Sequence, residues 1–82
     1  MEYRIGQIVR STAGRDNGKA FIVIKTEGNY VYVADGMTRK LEAPKKKKLK
    51  HIQGSYNVSE EIAALIKSGT AQNYMLRRFL DS

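Results

Sequence analysis

The stretch Gly6–Ile24, with the sequence GQIVRSTAGRDNGKAFIVI, decides the fold. Two apolar segments, Ile8-Val9 and Phe21–Ile24, flank a polar segment, and their β-branched and aromatic residues are typical of strands in a packed sheet. Asn17-Gly18 in the polar segment is a preferred pair for a hairpin turn in which both central residues have positive φ. The stretch therefore predicts two antiparallel strands joined by a glycine-rich, charged turn.

The same turn has the chemistry of an anion-binding loop. Gly14 and Gly18 leave backbone amides accessible to an anion, and Arg15 and Lys19 place positive charge beside them. A solvated turn without any ligand fits these residues equally well. The turn taken alone leaves both interpretations open.

The rest of the N-terminal two thirds predicts a small sheet. Strands are expected near 5–12, 19–26, 29–34, 37–42 and 47–53, with turn-forming residues between them. Five short strands within about 50 residues favour a barrel, because closure removes exposed sheet edges. The spacing of Leu49 and Ile52 fits a short turn inside the last segment better than unbroken alternation. The strand pattern alone allows an SH3-like or a truncated OB-like barrel.

The third predicted strand has the clearest alternation. Tyr30 and Tyr32 fall on one face, and Val31 and Val33 fall on the other. The valine face is expected to enter the core. The tyrosine face either covers a second small apolar cluster or stays open and stacks on unpaired bases.

After residue 56 the apolar period changes from two to 3.6, which predicts helices. Val58, Ile62, Leu65 and Ile66 are predicted to lie on one helix face, with Asn57 as the expected N-cap and Gly69 as the end. A second helix is expected to begin after Thr70 and to carry a further set of apolar residues: Tyr74, Met75, Leu76, Phe79 and Leu80.

The sequence is therefore divided into a barrel over 1–56 and a helical segment over 57–82. The apolar helix faces need a partner, since exposing them would be costly in so small a protein. Packing on the barrel is the default expectation. The alternatives are packing on each other or on a second copy of the chain, which would form a homodimer.

Charge is distributed unevenly along the chain. Residues 1–56 carry 12 Lys and Arg against 5 Asp and Glu, whereas residues 57–82 carry 3 against 3. Lys45–Lys48 and Lys50 form a block whose ammonium groups repel one another, and a polyanion would relieve that repulsion. Arg39 and Lys40 extend the block. A solvated lysine loop is the alternative.

Composition narrows the class of protein further. The chain has 82 residues, room for one small domain, and it has no cysteine, which excludes disulfides and thiolate metal sites. No apolar stretch has the length of a signal peptide or a membrane span. We therefore expect a cytoplasmic protein with no membrane association, no metal and no other cofactor.

The residues also argue against an enzyme. His51 is the single histidine, so it has no cysteine or second histidine to form a catalytic pair or a metal site. The segment Gly14–Ala20 fails as a nucleotide-binding phosphate loop. Its glycine spacing is one residue short, Ala20 replaces the metal-binding hydroxyl, and a strand follows where a helix is required.

The spacing of Gly6, Val9, Gly14 and Gly18-Lys19, followed by the apolar run, resembles the KOW motif. The resemblance covers about residues 4–53. With the downstream segments Val31–Gly36 and Leu49–Ile52, the chain resembles KOW-bearing large-subunit ribosomal proteins of archaea and eukaryotes, and above all their short bacterial relatives. The resemblance implies an SH3-like barrel that binds structured ribosomal RNA as a ribosomal-protein-like or ribosome-associated factor, with ribosomal proteins as further partners.

The alternative function is a protein-interaction module, since KOW domains of the NusG type also contact proteins of the transcription and translation machinery. The net charge of +7 favours RNA. The candidate RNA-binding residues are Arg10, Thr12, Arg15, Lys19, Arg39, Lys40, Lys45, Lys46, Lys47, Lys48, Lys50 and His51.

Overall fold

The computed structural model describes residues 2–81, with Tyr56 described by its backbone alone. It is mainly β, followed by two helices, which confirms the predicted fold class. The strands are β1 (Gln7–Ser11), β2 (Ala20–Glu27), β3 (Tyr30–Ala34), β4 (Lys45–Lys48) and β5 (Ile52–Val58). The helices are α1 (Glu60–Ser68) and α2 (Asn73–Asp81), and 3₁₀ turns lie at Gly14–Asp16 and Leu49–His51.

The five strands form one antiparallel sheet in the order β4-β3-β2-β1-β5. In a flat sheet, four inter-strand spacings of about 4.8 Å would hold the two edge strands about 19 Å apart. The three-residue 3₁₀ turn that joins β4 to β5 advances only about 6 Å. The sheet must therefore curl into a barrel-like shape, although no ladder joins β4 to β5 within residues 2–81.

Alternate residues of β2 enter two different apolar clusters. Phe21 and Val23 belong to an inner cluster on one face of the sheet, whereas Ile22 belongs to the cluster on the other, outward face, and all three are almost completely buried. The inner cluster is completed by Val9, Val31, Val33 and Ile52, with Tyr3 and Leu49 at its edge. Burial of both faces explains why this strand reads as an unbroken apolar run.

The two helices cover the outward face of the sheet. Ile62 of α1 and Leu76 of α2 pack with Ile22 and Ala34, and both helices are held at this face by further half-buried apolar side chains: Ile24, Leu41, Ile66, Phe79 and Leu80. None of the helices within residues 2–81 is long and apolar enough to cross a membrane.

Two strand predictions need correction. Residues 37–42 form a loop with no strand, because the Asp35 side chain accepts the hydrogen bonds that a neighbouring strand would otherwise accept. The segment 47–53 contains the end of β4, the 3₁₀ turn and the start of β5, so the short turn indicated by Leu49 and Ile52 is confirmed.

The predicted turn type is also wrong. Gly18 has φ +88°, but Asn17 has φ −51° and ψ 127°, so positive φ occurs at only one of the two central residues. The Lys19 amide donates to the Asp16 carbonyl oxygen at 2.9 Å, which closes a type II turn. Gly14 supplies a second positive φ, at the start of the first 3₁₀ turn.

The helix ends differ from the prediction at two places. Ser59, rather than Asn57, caps α1, since its hydroxyl oxygen accepts the Ile62 amide at 3.1 Å. Gly69 ends α1 with φ 76°, as predicted. Thr70 does not cap the second helix, because α2 begins only at Asn73, and the Thr70 amide instead donates to the Leu65 carbonyl oxygen at the end of α1.

Candidate nucleic-acid interface

The loop between β1 and β2 is held in a fixed shape by its own backbone. The Gly18 amide donates to the Ser11 carbonyl oxygen at 2.8 Å, and the Ser11 amide donates to the Lys19 carbonyl oxygen at 3.0 Å. The Arg10 guanidinium donates to the Gly18 carbonyl oxygen. The base of the loop is therefore closed, and Arg15 is left exposed at the 3₁₀ turn.

Asp16 gathers cations from three separate segments. Its carboxylate oxygens lie 4.0 Å from Lys19 Nζ, 3.5 Å from Arg39 Nη2 and 3.7 Å from Lys47 Nζ. The Asp16 side chain is only 8% exposed. One buried carboxylate thus faces three cationic groups, and the cluster carries an excess of positive charge. We refer to Asp16, Lys19, Arg39 and Lys47 as the Asp16 cluster.

Asp35 shapes the loop that delivers Arg39 to this cluster. Asp35 Oδ1 accepts the amides of Met37 and Arg39, and its Oδ2 accepts the Thr38 hydroxyl at 2.7 Å. Burial acts to raise the pKa of the Asp35 carboxyl, but the hydrogen bonds from Arg39, Thr38 and Met37 outweigh it and lower the pKa below its ordinary value of 3.8. The carboxylate is therefore a fixed acceptor that orders the loop.

The start of α2 anchors the same loop from the other side. Asn73 Oδ1 accepts the Leu41 amide at 2.8 Å, and Asn73 Nδ2 donates to Glu42 Oε1 at 2.6 Å. Gly36, with φ +79°, packs so closely that a Cβ at this position would collide with the Asn73 carbonyl oxygen. The C-terminal helix thus helps to place Arg39, although it contributes no side chain to the Asp16 cluster.

The lysine run forms a strand, and its side chains alternate between two faces. β4 pairs with β3 so that Lys47 lies opposite Val31 and Lys46 lies opposite Tyr32. Lys47 is buried and its Nζ also approaches the Ala13 carbonyl oxygen at 3.4 Å. The four lysines are therefore not one solvated block, since one of them is bound inside the Asp16 cluster.

Tyr30 and Tyr32 lie on the outward face of β3, as predicted, and both are half-buried. Lys46 Nζ lies 4.4 Å from the centroid of the Tyr30 ring and 5.9 Å from that of Tyr32, and Lys25 Nζ lies 5.5 Å from the Tyr32 ring. These are cation–π distances. Glu27 is the nearby acid, with Oε1 at 4.0 Å from Lys46 Nζ.

The structure divides the candidate RNA-binding residues between two surfaces. One surface surrounds the β1–β2 loop and includes Arg10, Thr12, Arg15, Lys19, Arg39 and Lys47. His51 lies at the same surface, because its backbone carbonyl oxygen accepts the Thr12 amide. The other is the outward face near the tyrosines, with Lys46, Lys48 and Lys50. Lys45 is half-buried on β4, on the same side as Lys47, and Lys40 is exposed in the loop before β4.

Several of these cations are available to a ligand. Within residues 2–81, six of the candidate cationic side chains have no carboxylate within 4.0 Å: Arg10, Arg15, Lys40, Lys45, Lys48 and Lys50. Two acidic residues that organise the surface, Asp16 and Asp35, were not among the sequence-derived site residues. A lone acid inside a basic, glycine-rich turn is the signal that would have identified Asp16.

In comparisons with known proteins, no family model matches the chain, and no curated protein is significantly similar to it in sequence.

Proposed function

We propose that the protein is a non-catalytic RNA-binding protein and that structured RNA is bound at the surface around the Asp16 cluster. The observation that carries the proposal is the convergence of Lys19, Arg39 and Lys47 on one buried carboxylate. Neutralising all three cations would require three carboxylates, and the cluster contains one. A phosphate group of RNA would supply the missing negative charge.

The geometry suits a backbone phosphate better than a small metabolite. Lys19 and Arg39 are partly exposed beside the β1–β2 loop, and Arg10 on β1 and Arg15 in the loop extend the positive surface there. Contacts of this kind position a nucleic acid without reading its sequence. Specificity would then come from the shape of the RNA, and a structured RNA has a defined shape that such contacts can recognise.

The KOW resemblance adds a narrower proposal. Ribosomal RNA is the proposed target, ribosomal proteins are further partners, and the cytoplasm is the proposed location. The part of the chain that carries the resemblance, about residues 4–53, contains the whole Asp16 cluster. The proposal is therefore a ribosome-associated or ribosomal-protein-like factor.

The test is a filter-binding titration at several salt concentrations against a structured RNA. Each phosphate contact contributes about 0.7 to 0.9 to the slope of log K against log salt. We expect Arg15→Gln/Lys19→Gln to weaken binding and to reduce the slope. The matched control is Lys67→Gln/Arg78→Gln, which removes two exposed charges from the helices. A flat salt response of the unmodified protein, or equal losses in the two double variants, would contradict the proposal.

One observation favours a second candidate function, a protein-interaction module. α1 and α2 form an open groove of about 420 Å³, lined mostly by apolar side chains such as Ile62, Leu65 and Phe79. Tyr74, at 56% exposure, lies beside it. Loss of RNA binding in every condition, with retained binding to a ribosomal or transcription protein that Leu65→Glu abolishes, would favour this function instead.

A further inference from the structure

A second groove lies on the outward face of the sheet, where β3 begins and the second 3₁₀ turn follows β4. It has a volume of about 410 Å³ and is lined by Asn29, Tyr30, Lys48, Leu49 and Lys50. Tyr30 and Lys48 are paired residues on neighbouring strands, so their side chains leave the sheet on the same face. The Leu49 amide donates to the Asn29 carbonyl oxygen at 2.9 Å and fixes the turn against the start of β3.

The chemistry of this groove is that of a nucleotide site. The Tyr30 ring offers an aromatic surface, the Asn29 amide offers both a donor and an acceptor, and Lys48 and Lys50 are exposed cations. None of the residues that line the groove is acidic. A volume of about 410 Å³ lies within the range of small-molecule sites, roughly 300–1,000 Å³.

Lys46 strengthens this assignment from the neighbouring position on β4. Its Nζ lies 4.4 Å from the centroid of the Tyr30 ring, and this contact restrains the ring and adds positive charge beside the groove. Glu27 is engaged by Lys25 and Lys46 at 3.7 and 4.0 Å, and within residues 2–81 neither Lys48 nor Lys50 has a carboxylate within 4.0 Å. The positive charge of Lys48 and Lys50 is therefore left for a ligand.

The groove between α1 and α2 is a useful contrast because it has nearly the same volume, about 420 Å³. Its lining is mostly apolar and carries one acid, Glu61, and one cation, Arg78, so that it lacks the excess positive charge of the groove at Tyr30. Size alone does not distinguish the two grooves. The combination of an aromatic ring, an amide and two unpaired lysines does.

We propose that the groove at Tyr30 binds one unpaired nucleotide of an RNA, with the base stacked on the Tyr30 ring and the flanking phosphates at Lys48 and Lys50. This inference rests on the proposed function and extends it. The Asp16 cluster would contact the paired, structured part of the RNA, and the groove would select RNAs that have an unpaired base next to it. The two surfaces use different lysines of the same strand, since Lys47 and Lys48 point to opposite faces of β4.

The experiment compares two RNAs with equal numbers of phosphates: a hairpin with a single-stranded loop and a fully paired duplex. Stacking on one aromatic side chain contributes enough that its removal weakens binding roughly 5- to 150-fold. We expect Tyr30→Leu to reduce affinity for the hairpin by this factor and to leave affinity for the duplex within about twofold. Tyr30→Phe, which keeps the ring, should bind the hairpin like the unmodified protein. Tyr74→Leu removes an exposed tyrosine on α2 and is the matched control.

A second measurement needs no variant. We expect 2-aminopurine placed in the hairpin loop to lose fluorescence when the unmodified protein binds, because the base leaves solvent and stacks on an aromatic ring. Unchanged fluorescence on binding would overturn the proposal, as would Tyr30→Leu binding both RNAs like the unmodified protein or losing both equally. Failure of the unmodified protein to bind either RNA would instead overturn the proposed function, so the two failures are distinguishable.

Discussion

The Nζ atom of Lys47 lies 3.7 Å from Oδ2 of Asp16, and their side chains are only 10% and 8% exposed. This pair joins β4 to the loop between β1 and β2. Lys47 therefore differs in environment from Lys46 and Lys48, which are exposed on the other face of β4. Substituting all four lysines together would therefore combine a structural effect with a binding effect.

Lys47→Gln is expected to lower the free energy of unfolding by about 1 to 3 kcal/mol, because a buried carboxylate loses one of its partners. Lys48→Gln is the control and should change it by less than about 0.5 kcal/mol, since this side chain is exposed. Urea unfolding measures both. Equal effects of the two substitutions would show that Lys47 is not a structural lysine.

Gly36→Ala is expected to be more destabilising than Gly18→Ala. Both glycines have positive φ, so both substitutions add backbone strain of about 1 to 2 kcal/mol. A Cβ at Gly18 meets nothing within 4 Å, whereas one at Gly36 collides with the Asn73 carbonyl oxygen and must displace α2 or the loop. Thermal melts compare the two variants directly, and equal melting temperatures would contradict the close packing of the loop on α2.

Stability should depend on pH through Asp35. Its pKa in the folded protein lies below the ordinary value of 3.8, so its ionised form stabilises the fold above that value. This contribution is lost as the pH falls through the lowered pKa. Asp35→Asn should therefore flatten the dependence of melting temperature on pH below about pH 4.

Asp81→Asn is the comparison for that experiment. A side-chain hydrogen bond from Arg77 lowers the pKa of the Asp81 carboxyl as well, but Asp81 is exposed and solvent screens the interaction. We expect a smaller change in the pH profile than for Asp35. A profile altered as much by Asp81→Asn as by Asp35→Asn would contradict the role of the Asp35 loop.

Leu76→Ala tests the packing of α2 on the sheet. Leu76 is completely buried against Ile22 and Ala34, so truncation should lower the free energy of unfolding by about 2 to 5 kcal/mol. Tyr74→Ala, on the exposed side of the same helix, should have little effect. Chemical denaturation followed by circular dichroism measures the difference. A small loss at Leu76 would mean that the helix contributes little to the fold.

Sequence patterns located most elements because those elements have strong local signals. β2, β3 and both helices follow from apolar periodicity, and Gly69 ends α1 as its position predicts. The loop at 37–42 was missed because the Asp35 carboxylate replaces the backbone partners that a strand would have needed. The capping residue of α1 was missed because β5 continues to Val58, which pairs with the distant residue Gln7.

The candidate site was predictable in composition but not in arrangement. The excess of lysine and arginine in residues 1–56 is a property of the sequence alone. The division of β4 between two faces depends on its register with β3, which pairs Val31 with Lys47 and Tyr30 with Lys48. The meeting of Asp16 with Arg39 and Lys47 depends on contacts between segments far apart in the chain. No local pattern encodes either of these.

The position of β4 at the edge of the sheet has a consequence for how copies of this protein behave toward one another. An edge strand presents unpaired backbone groups, and a second copy could add its own edge strand to them. Here that edge is built from consecutive lysines, so two such strands brought side by side would face each other with like charges. The lysine strand therefore discourages the protein from extending its sheet into aggregates, whether or not RNA is bound.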